Sequence, residues 1–251
     1  MDGVIHITLS AETLTQLWGL PITNTLLTSW GVIFLLAVFA FVVGRNIRLV
    51  PGKVQTLVEM LFGFVLEYME GVLESRRMAE RFFPLIMTLF LFIFAANLLE
   101  FTPGIGSIGI FHPTTGPGQA EFVPLFRSVN TDLNVTLALA IISFLVIEVT
   151  GVLVIGALKY AGKFVNVKSV LGFLIGIIEF FSEIARLVSF SFRLFGNIFA
   201  GEVLILVISF FVPVFLPVPL MLFEVFVGFI QAAIFSLLTL FFIKIAVTEP
   251  H

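Results

Sequence analysis

The chain has 251 residues, of which 59% are apolar, 12% are charged and 32 are Phe. Soluble domains are about 45–50% apolar and about 25% charged, so this composition excludes a soluble globular protein and a disordered chain. The net charge of −3, without a basic tail, argues against a nucleic-acid partner, and the lack of cysteine excludes disulfides and thiol chemistry.

Long apolar runs predict an all-α membrane protein with five transmembrane helices in a single membrane domain, residues 1–251. A cleaved signal or transit peptide is not expected, because Asp2 and Glu12 precede the first basic residue, Arg45. The predicted spans cover residues 26–44, 82–101, 133–158, 169–212 and 220–247.

Two further segments lie between the predicted spans. Apolar residues recur at helical spacing after Lys53, with glutamates on the other side, which predicts an amphipathic helix in the membrane interface over residues 53–80. The external loop, residues 102–130, is rich in Gly and Pro and shows no strong pattern, with Glu100 just before it at the membrane surface.

The last two predicted helices are joined by a turn at Pro213, Pro217 and Pro219, because prolines this dense end a helix. A helix over residues 169–212 would be about 66 Å long, whereas the bilayer core is about 30 Å thick. We therefore expect a long hairpin that is tilted, curved or partly along the membrane.

Basic residues predict the orientation. Under the five-span scheme most Lys and Arg fall on one side, which the positive-inside rule assigns to the cytoplasm, and the N-terminus lies outside. A bacterial inner membrane is the expected location, with the C-terminus in the cytoplasm. The residues on the cytoplasmic side are Arg45, Arg48, Lys53, Arg76, Arg77, Arg81, Lys159, Lys163, Lys168 and Lys244.

Polar side chains form one stripe, about 120° wide, on the long predicted helix. Ionisable groups inside membrane spans are costly and mark functional sites, although a polar seam between packed helices is an alternative. The stripe contains Glu179, Ser182, Glu183, Arg186, Ser189, Arg193, Asn197 and Gly201.

The predicted hairpin brings further groups beside this stripe. A turn centred near residue 213 places Glu202 opposite Glu224, and Arg193 near Gln231. Buried carboxylates can hold and release protons, whereas arginine cannot lose its proton, so Arg193 would block a continuous proton path. Charge would then need a mobile carrier to pass Arg193, and that carrier implies a partner chain.

Three motifs identify a family. Ser191–Glu202 is S-F-R-L-F-G-N-I-F-A-G-E, Thr131–Thr136 is T-D-L-N-V-T, and Gln231 begins Q-A-A-I-F-S-L-L-T. In order and spacing these resemble the signatures of subunit a of the rotary F-type ATP synthase, over nearly the whole chain from about Pro21.

The resemblance implies a stator subunit that conducts protons beside a ring of c subunits. The expected partners are the c-ring, a subunit b peripheral stalk and membrane lipid. The resemblance implies no catalysis by this chain. Arg193 matches the essential arginine that keeps the ring carboxylate ionised, and Asn197 and Gln231 match its polar neighbours. Glu202 and Glu224 match the pair in the external half-channel, and Asp132 and Asn134 lie near its mouth. Glu179 matches a carboxylate of the cytoplasmic half-channel. Glu183 is placed there less firmly.

One departure from the family pattern concerns Glu202 and Glu224, since many members have His at one of these positions. Two facing carboxylates cannot both ionise cheaply, so we predict that the pair shares a proton near neutral pH. Which residue holds it stays open, as do the role of Glu148, the ring size and the choice between protons and sodium ions.

The sequence argues against two other function classes. A secondary transporter often shows an internal repeat, which this sequence lacks, and an intramembrane enzyme needs a catalytic constellation, which is also missing. His6, His112 and His251 are too scattered for a metal site, and no cofactor is expected. Gly156–Lys163 superficially resembles a phosphate-binding loop, but its glycines have five intervening residues instead of four, so no bound nucleotide is expected.

Overall fold

The computed structural model describes residues 11–17, 19–102, 108–113, 120–164, 170–213 and 215–248. Helices dominate these residues, which confirms the predicted all-α class. In chain order the elements are β1 (Thr13–Leu17), β2 (Leu20–Thr23), α1 (Asn24–Arg45), α2 (Lys53–Leu73), α3 (Arg76–Glu100), β3 (Gly109–Pro113), β4 (Ala120–Pro124), α4 (Leu133–Ile155), α5 (Ala157–Phe164), α6 (Val170–Phe211) and α7 (Pro217–Val247).

Five of the described helices, α1, α3, α4, α6 and α7, are long and apolar enough to cross a membrane. The chain is therefore a multi-pass membrane protein. Helix α6 has 42 residues, which corresponds to about 63 Å, twice the thickness of the bilayer core. Its predicted tilt stays a prediction.

Helix α2 differs in length from the predicted interfacial helix. It ends at Leu73, because Glu74 adopts a left-handed conformation with φ 53° that stops the helix. Residues 76–80, expected in the interfacial helix, belong to α3 instead. The exposed side chains of Glu59, Leu61 and Phe64 on α2 favour an interfacial position.

Helix α7 begins earlier than residue 220, since its first turn contains Pro217 and Pro219. Proline is tolerated there because the first backbone N–H groups of a helix have no partner within the helix. Two antiparallel hairpins were not predicted: β1 pairs with β2, and β3 pairs with β4 inside the expected external loop.

The backbone forms two compact units. The first contains residues up to 41, 91–136 and 194–232, and the second contains residues 42–90, 137–193 and 233–251. In the first unit, buried Val32, Ala96 and Val129 form an apolar core. In the second, the core joins α2, α3, α4 and α7 through Met69, Leu73, Ala79, Phe82, Ile86, Ile147, Leu240, Ile243 and Ala246.

Helices α6 and α7 pack antiparallel within each unit. In the first unit the carboxyl group of Glu224 lies against Gly201. In the second unit the ring of Phe190 packs on Phe235 and Phe242, with centroids 5.2 and 5.5 Å apart. Both sets of contacts correspond to a chain reversal within a few residues of 213.

Candidate functional site

The predicted site residues divide between the two units, because the chain passes from one unit to the other after Arg193. Glu179, Glu183 and Arg193 belong to the second unit. The first unit holds Asn197, Glu202, Glu224, Gln231, Asp132 and Asn134.

A buried carboxylate group is the main feature of the first unit. Glu224 is 6% exposed, and its carboxyl group occupies the space beside Gly201, where a Cβ atom would overlap it. One oxygen of Glu224 and one of Glu202 are buried, and neither has a hydrogen-bond partner among the described residues. Buried polar atoms normally have hydrogen-bond partners. These two oxygens therefore mark a site where a water molecule or a bound proton would complete the hydrogen bonding.

Glu100, which was expected only at the membrane surface, joins this group. Its side chain is half-buried at the end of α3 and accepts a hydrogen bond of 2.8 Å from Ser128 Oγ. Glu100 belongs to the same compact unit as Glu202 and Glu224. The first unit therefore contains three carboxyl groups, on α3, α6 and α7, which we call the carboxylate cluster (Glu100, Glu202 and Glu224).

Amide side chains hold the helices beside the carboxylate cluster. Asn97 Nδ2 donates to the carbonyl oxygen of Gly228 at 3.0 Å, and Asn130 Nδ2 donates to Asn97 Oδ1 at 2.6 Å. These bonds join α3, α7 and the segment before α4, so they fix the helices that carry Glu100 and Glu224. Gln231 is also buried on α7, 8% exposed.

Asp132 and Asn134 lie at the start of α4. Asp132 Oδ1 accepts from the backbone and side-chain nitrogens of Asn134, at 2.9 and 3.1 Å, and Oδ2 accepts from Thr25 Oγ1 at 2.7 Å. Asp132 therefore caps α4 and ties it to α1. The location of Asp132 and the exposed Asn134 near the mouth of a half-channel stays a prediction.

The second unit contains an ion pair inside a membrane span. Arg186 Nη1 lies 2.7 Å from Glu183 Oε2, one helical turn earlier on α6, and Glu183 is 3% exposed. The Arg186 guanidinium also stacks 4.0 Å above the ring of Phe242 on α7. Arg186 thus compensates the buried charge of Glu183 and packs α6 on α7. Glu179, one turn before Glu183, is half-buried.

Glu148, for which the sequence left a structural or channel role open, binds Tyr160. The hydroxyl of Tyr160 on α5 donates to Glu148 Oε2 on α4 at 2.8 Å. The Tyr160 ring lies directly on Gly151, where any Cβ would overlap it. Burial, followed by the bond to Glu148, raises the pKa of Tyr160 above its usual 10.0. The phenol therefore stays protonated and keeps donating at physiological pH.

Replacing Tyr160 with phenylalanine is expected to destabilise the chain by about 1.5–3 kcal/mol, the usual contribution of a hydrogen bond to a charged group. Because the folded-state pKa is raised, this contribution is fully present below pH 10 and is lost at higher pH. Thermal unfolding in detergent at pH 7 measures it. Tyr68→Phe is the matched control, since Tyr68 is the chain's other tyrosine and is 42% exposed. Equal unfolding temperatures for the two variants would contradict the prediction.

Arg193 has a different environment from Arg186. Its side chain is exposed on α6, with Nη2 3.5 Å from Ser189 Oγ, and Asn197 one turn later is exposed as well. Large apolar side chains around it are also exposed, Phe192 by 55% and Val188 by 44%. Arg193 is therefore a fixed cation on the apolar surface of a span. Among the described residues, no group of His, Asp or Glu suits a metal ion.

Comparison with known proteins identifies the family. The sequence profile of the ATP synthase A chain matches residues 26–244. The chain belongs to the ATP synthase A chain family. Its predicted resemblance to subunit a of the F-type ATP synthase is thereby confirmed, and the chain is a non-catalytic membrane subunit of an ATP synthase.

Individual relatives align with the chain over most of their length. The chain is 32% identical to ATP synthase subunit a of Moorella thermoacetica, over 91% of this chain and 92% of that protein. It is 33% identical to ATP synthase subunit a of Campylobacter jejuni, over 88% and 90%. It is 34% identical to ATP synthase subunit a 1 of Syntrophotalea carbinolica, over 89% and 85%.

The interactions of two residues, Glu100 and Tyr160, were not predicted from the sequence. Glu100 belongs to the carboxylate cluster, and the signal that could have found it is Asn97 one helical turn earlier, since both are polar groups at the end of an apolar span. Tyr160 was missed because its partner Glu148 lies on another helix. The roles predicted for the site residues themselves stay predictions.

Proposed function

We propose that the chain is the proton-conducting stator subunit of a rotary F-type ATP synthase. In this proposal it forms two half-channels against a ring of c subunits, and Arg193 separates them. A ring carboxylate picks up a proton from one half-channel and later releases it into the other. Proton flow thus drives ring rotation, and ATP is made in a separate part of the complex.

The carboxylate cluster serves as the half-channel open to the outside. Support comes from the burial of Glu224, from its position against Gly201, and from the buried oxygens of Glu202 and Glu224 that lack described partners. Neighbouring carboxyl groups that are shielded from water cannot all be ionised at low cost, so one can store a proton and pass it on. Asp132 and Asn134 would lie toward the mouth.

Glu179 and Glu183 serve as the half-channel open to the cytoplasm. Both lie on the part of α6 that precedes Arg193, one turn apart. The carboxyl group of Glu183 is held by Arg186 at 2.7 Å. Glu179, one turn earlier on the same helix, is the residue that the family resemblance assigns to this half-channel.

The exposed Arg193 is the single observation that carries the proposal. A cation on the apolar surface of a span attracts an anionic group from a neighbouring chain, because little water is present to screen it. A carboxylate on the ring fits this requirement and would be kept ionised by Arg193. Asn197, one turn away on the same exposed surface, and Gln231 on α7 supply polar neighbours.

The proposal includes an orientation and two partners. The basic residues place the N-terminus outside and the C-terminus in the cytoplasm of a bacterial inner membrane. The partners are the c-ring, which carries the ionisable group, and a subunit b peripheral stalk, which prevents the chain from turning with the ring.

Co-purification tests the proposal. An affinity-tagged chain, extracted in mild detergent, is expected to bring down the c subunits and the peripheral stalk together with ATP hydrolysis activity. Mass spectrometry of the eluate identifies the partners, and membranes with an untagged chain supply the control. Recovery of the chain alone, in a form that transports a solute after reconstitution, would favour the secondary transporter instead.

A further inference from the structure

A groove lies in the second unit, where the start of α3 meets the end of α4. Its volume is about 550 Å³, and its lining includes Arg77, Arg81, Phe82, Leu145, Val149 and Leu153. Leu145, Val149 and Leu153 are each more than half exposed and follow one another at intervals of four residues. They form one apolar face of α4 along the groove.

The groove has a positive end. Arg77 and Arg81 are exposed and lie one helical turn apart at the start of α3, so both side chains point to the same side. The nearby acids Glu70 and Glu80 bind Arg76 instead, at 2.9 and 2.8 Å. Among the described residues, Arg77 and Arg81 have no ion-pair partner.

The length of the apolar face fits one half of a bilayer. Residues 145–154 of α4 line the groove and extend about 14 Å at 1.5 Å per residue. Half of the bilayer hydrocarbon core is about 15 Å thick. A ligand with an anionic head and a hydrocarbon tail would therefore match both the charge and the length of the groove.

We propose that this groove is a binding site for one anionic phospholipid of the membrane. Arg77 and Arg81 bind the phosphate of the headgroup, and an acyl chain lies along Leu145, Val149 and Leu153. The two cations at one end favour a lipid over a partner helix. A helix would have to place an acidic side chain beside Arg77 and Arg81, whereas the phosphate of an anionic lipid always lies at the surface of the hydrocarbon core. The site is independent of the proposed proton path.

Photo-cross-linking tests the lipid site on the complete ATP synthase. The complex is reconstituted in phosphatidylcholine vesicles with a trace of phosphatidylglycerol that carries a photoreactive group on its acyl chain. Mass spectrometry is expected to find the label on residues 145–154. Unlabelled phosphatidylglycerol is expected to compete with the probe at least about tenfold better than added phosphatidylcholine. Equal competition by the two lipids would overturn the proposal, and this comparison needs no variant.

Variants test the role of the arginines. Labelling is expected to fall about tenfold in the Arg77→Gln, Arg81→Gln double variant. It should stay unchanged in the Arg45→Gln, Arg48→Gln control, which removes two charges outside the groove. Unchanged labelling in the first variant overturns the proposal. A photoreactive amino acid placed at Leu153 gives a second test in native membranes. If it cross-links another subunit instead of lipid, the groove is a protein interface and the proposal is overturned.

Discussion

Replacing Arg193 with alanine is expected to abolish ATP-driven proton pumping by the assembled complex. Alanine removes the fixed charge that attracts the ring carboxylate, and it opens the barrier between the proposed half-channels. A passive proton leak should appear at the same time, because no permanent cation then separates the two proton paths. Pumping is measured by quenching of a pH-sensitive dye in inverted membrane vesicles, and the leak by decay of an imposed pH gradient.

Two comparisons separate charge from assembly in this experiment. Arg193→Lys keeps a positive charge without the planar guanidinium, so it should suppress the leak more than alanine does. Arg127→Ala removes an arginine outside the long helices and should leave pumping close to wild type. The amount of c subunit that co-purifies shows whether each complex is assembled. Normal pumping without a leak in Arg193→Ala would overturn the role of Arg193 and reopen the transporter hypothesis.

The membrane fold was predictable because a span is a property of length and composition. In lipid, a run of about 20 apolar residues can form little else than a helix, because every backbone N–H and C=O group must be hydrogen-bonded within the protein. Element ends were less predictable. Glu74 stops α2 by adopting a left-handed conformation, and neither Gly nor Pro marks that position. The sequence predicts that Pro217 lies in the turn before α7, whereas it lies in the first turn of this helix, where proline is tolerated.

Candidate residues were predictable where they share one helix. Glu179, Glu183 and Arg193 follow the period of α6, so their shared face could be derived from spacing alone. Glu100 and Tyr160 could not be placed in this way. The partner of Glu100 is Ser128, 28 residues later, and that of Tyr160 lies on another helix, so both contacts depend on how the chain packs.

Gly201 leaves the space on α6 that one member of the carboxylate cluster, Glu224, occupies. The Glu224 carboxyl group fits on α6 only because Gly201 has no side chain. The contact thus falls one residue before Glu202, close to the predicted pairing of Glu202 with Glu224. Glu100 adds a third carboxyl group in the same unit. With three such groups together, the reason to retain a proton is stronger than for the pair alone.

Removing either member of the Glu202 and Glu224 pair is expected to reduce ATP-driven pumping at least about tenfold, because a positioned proton-transfer group contributes about 10²–10⁴-fold. Glu202→Gln and Glu224→Gln preserve side-chain size but cannot carry a proton. Infrared difference spectra at pH 7 should show the C=O band of a protonated carboxyl group in the wild-type complex. That band should weaken in either variant, since the proton belongs to the pair.

The infrared experiment also decides between a shared proton and a fully charged cluster. Glu100→Gln is the matched variant, because it removes the third carboxyl group while leaving Glu202 and Glu224 in place. A C=O band that persists in this variant belongs to the pair, whereas a band that disappears belongs to Glu100. Spectra showing both Glu202 and Glu224 fully ionised at pH 7 in the wild type would refute the shared proton. The proposed path would then need water as the proton store.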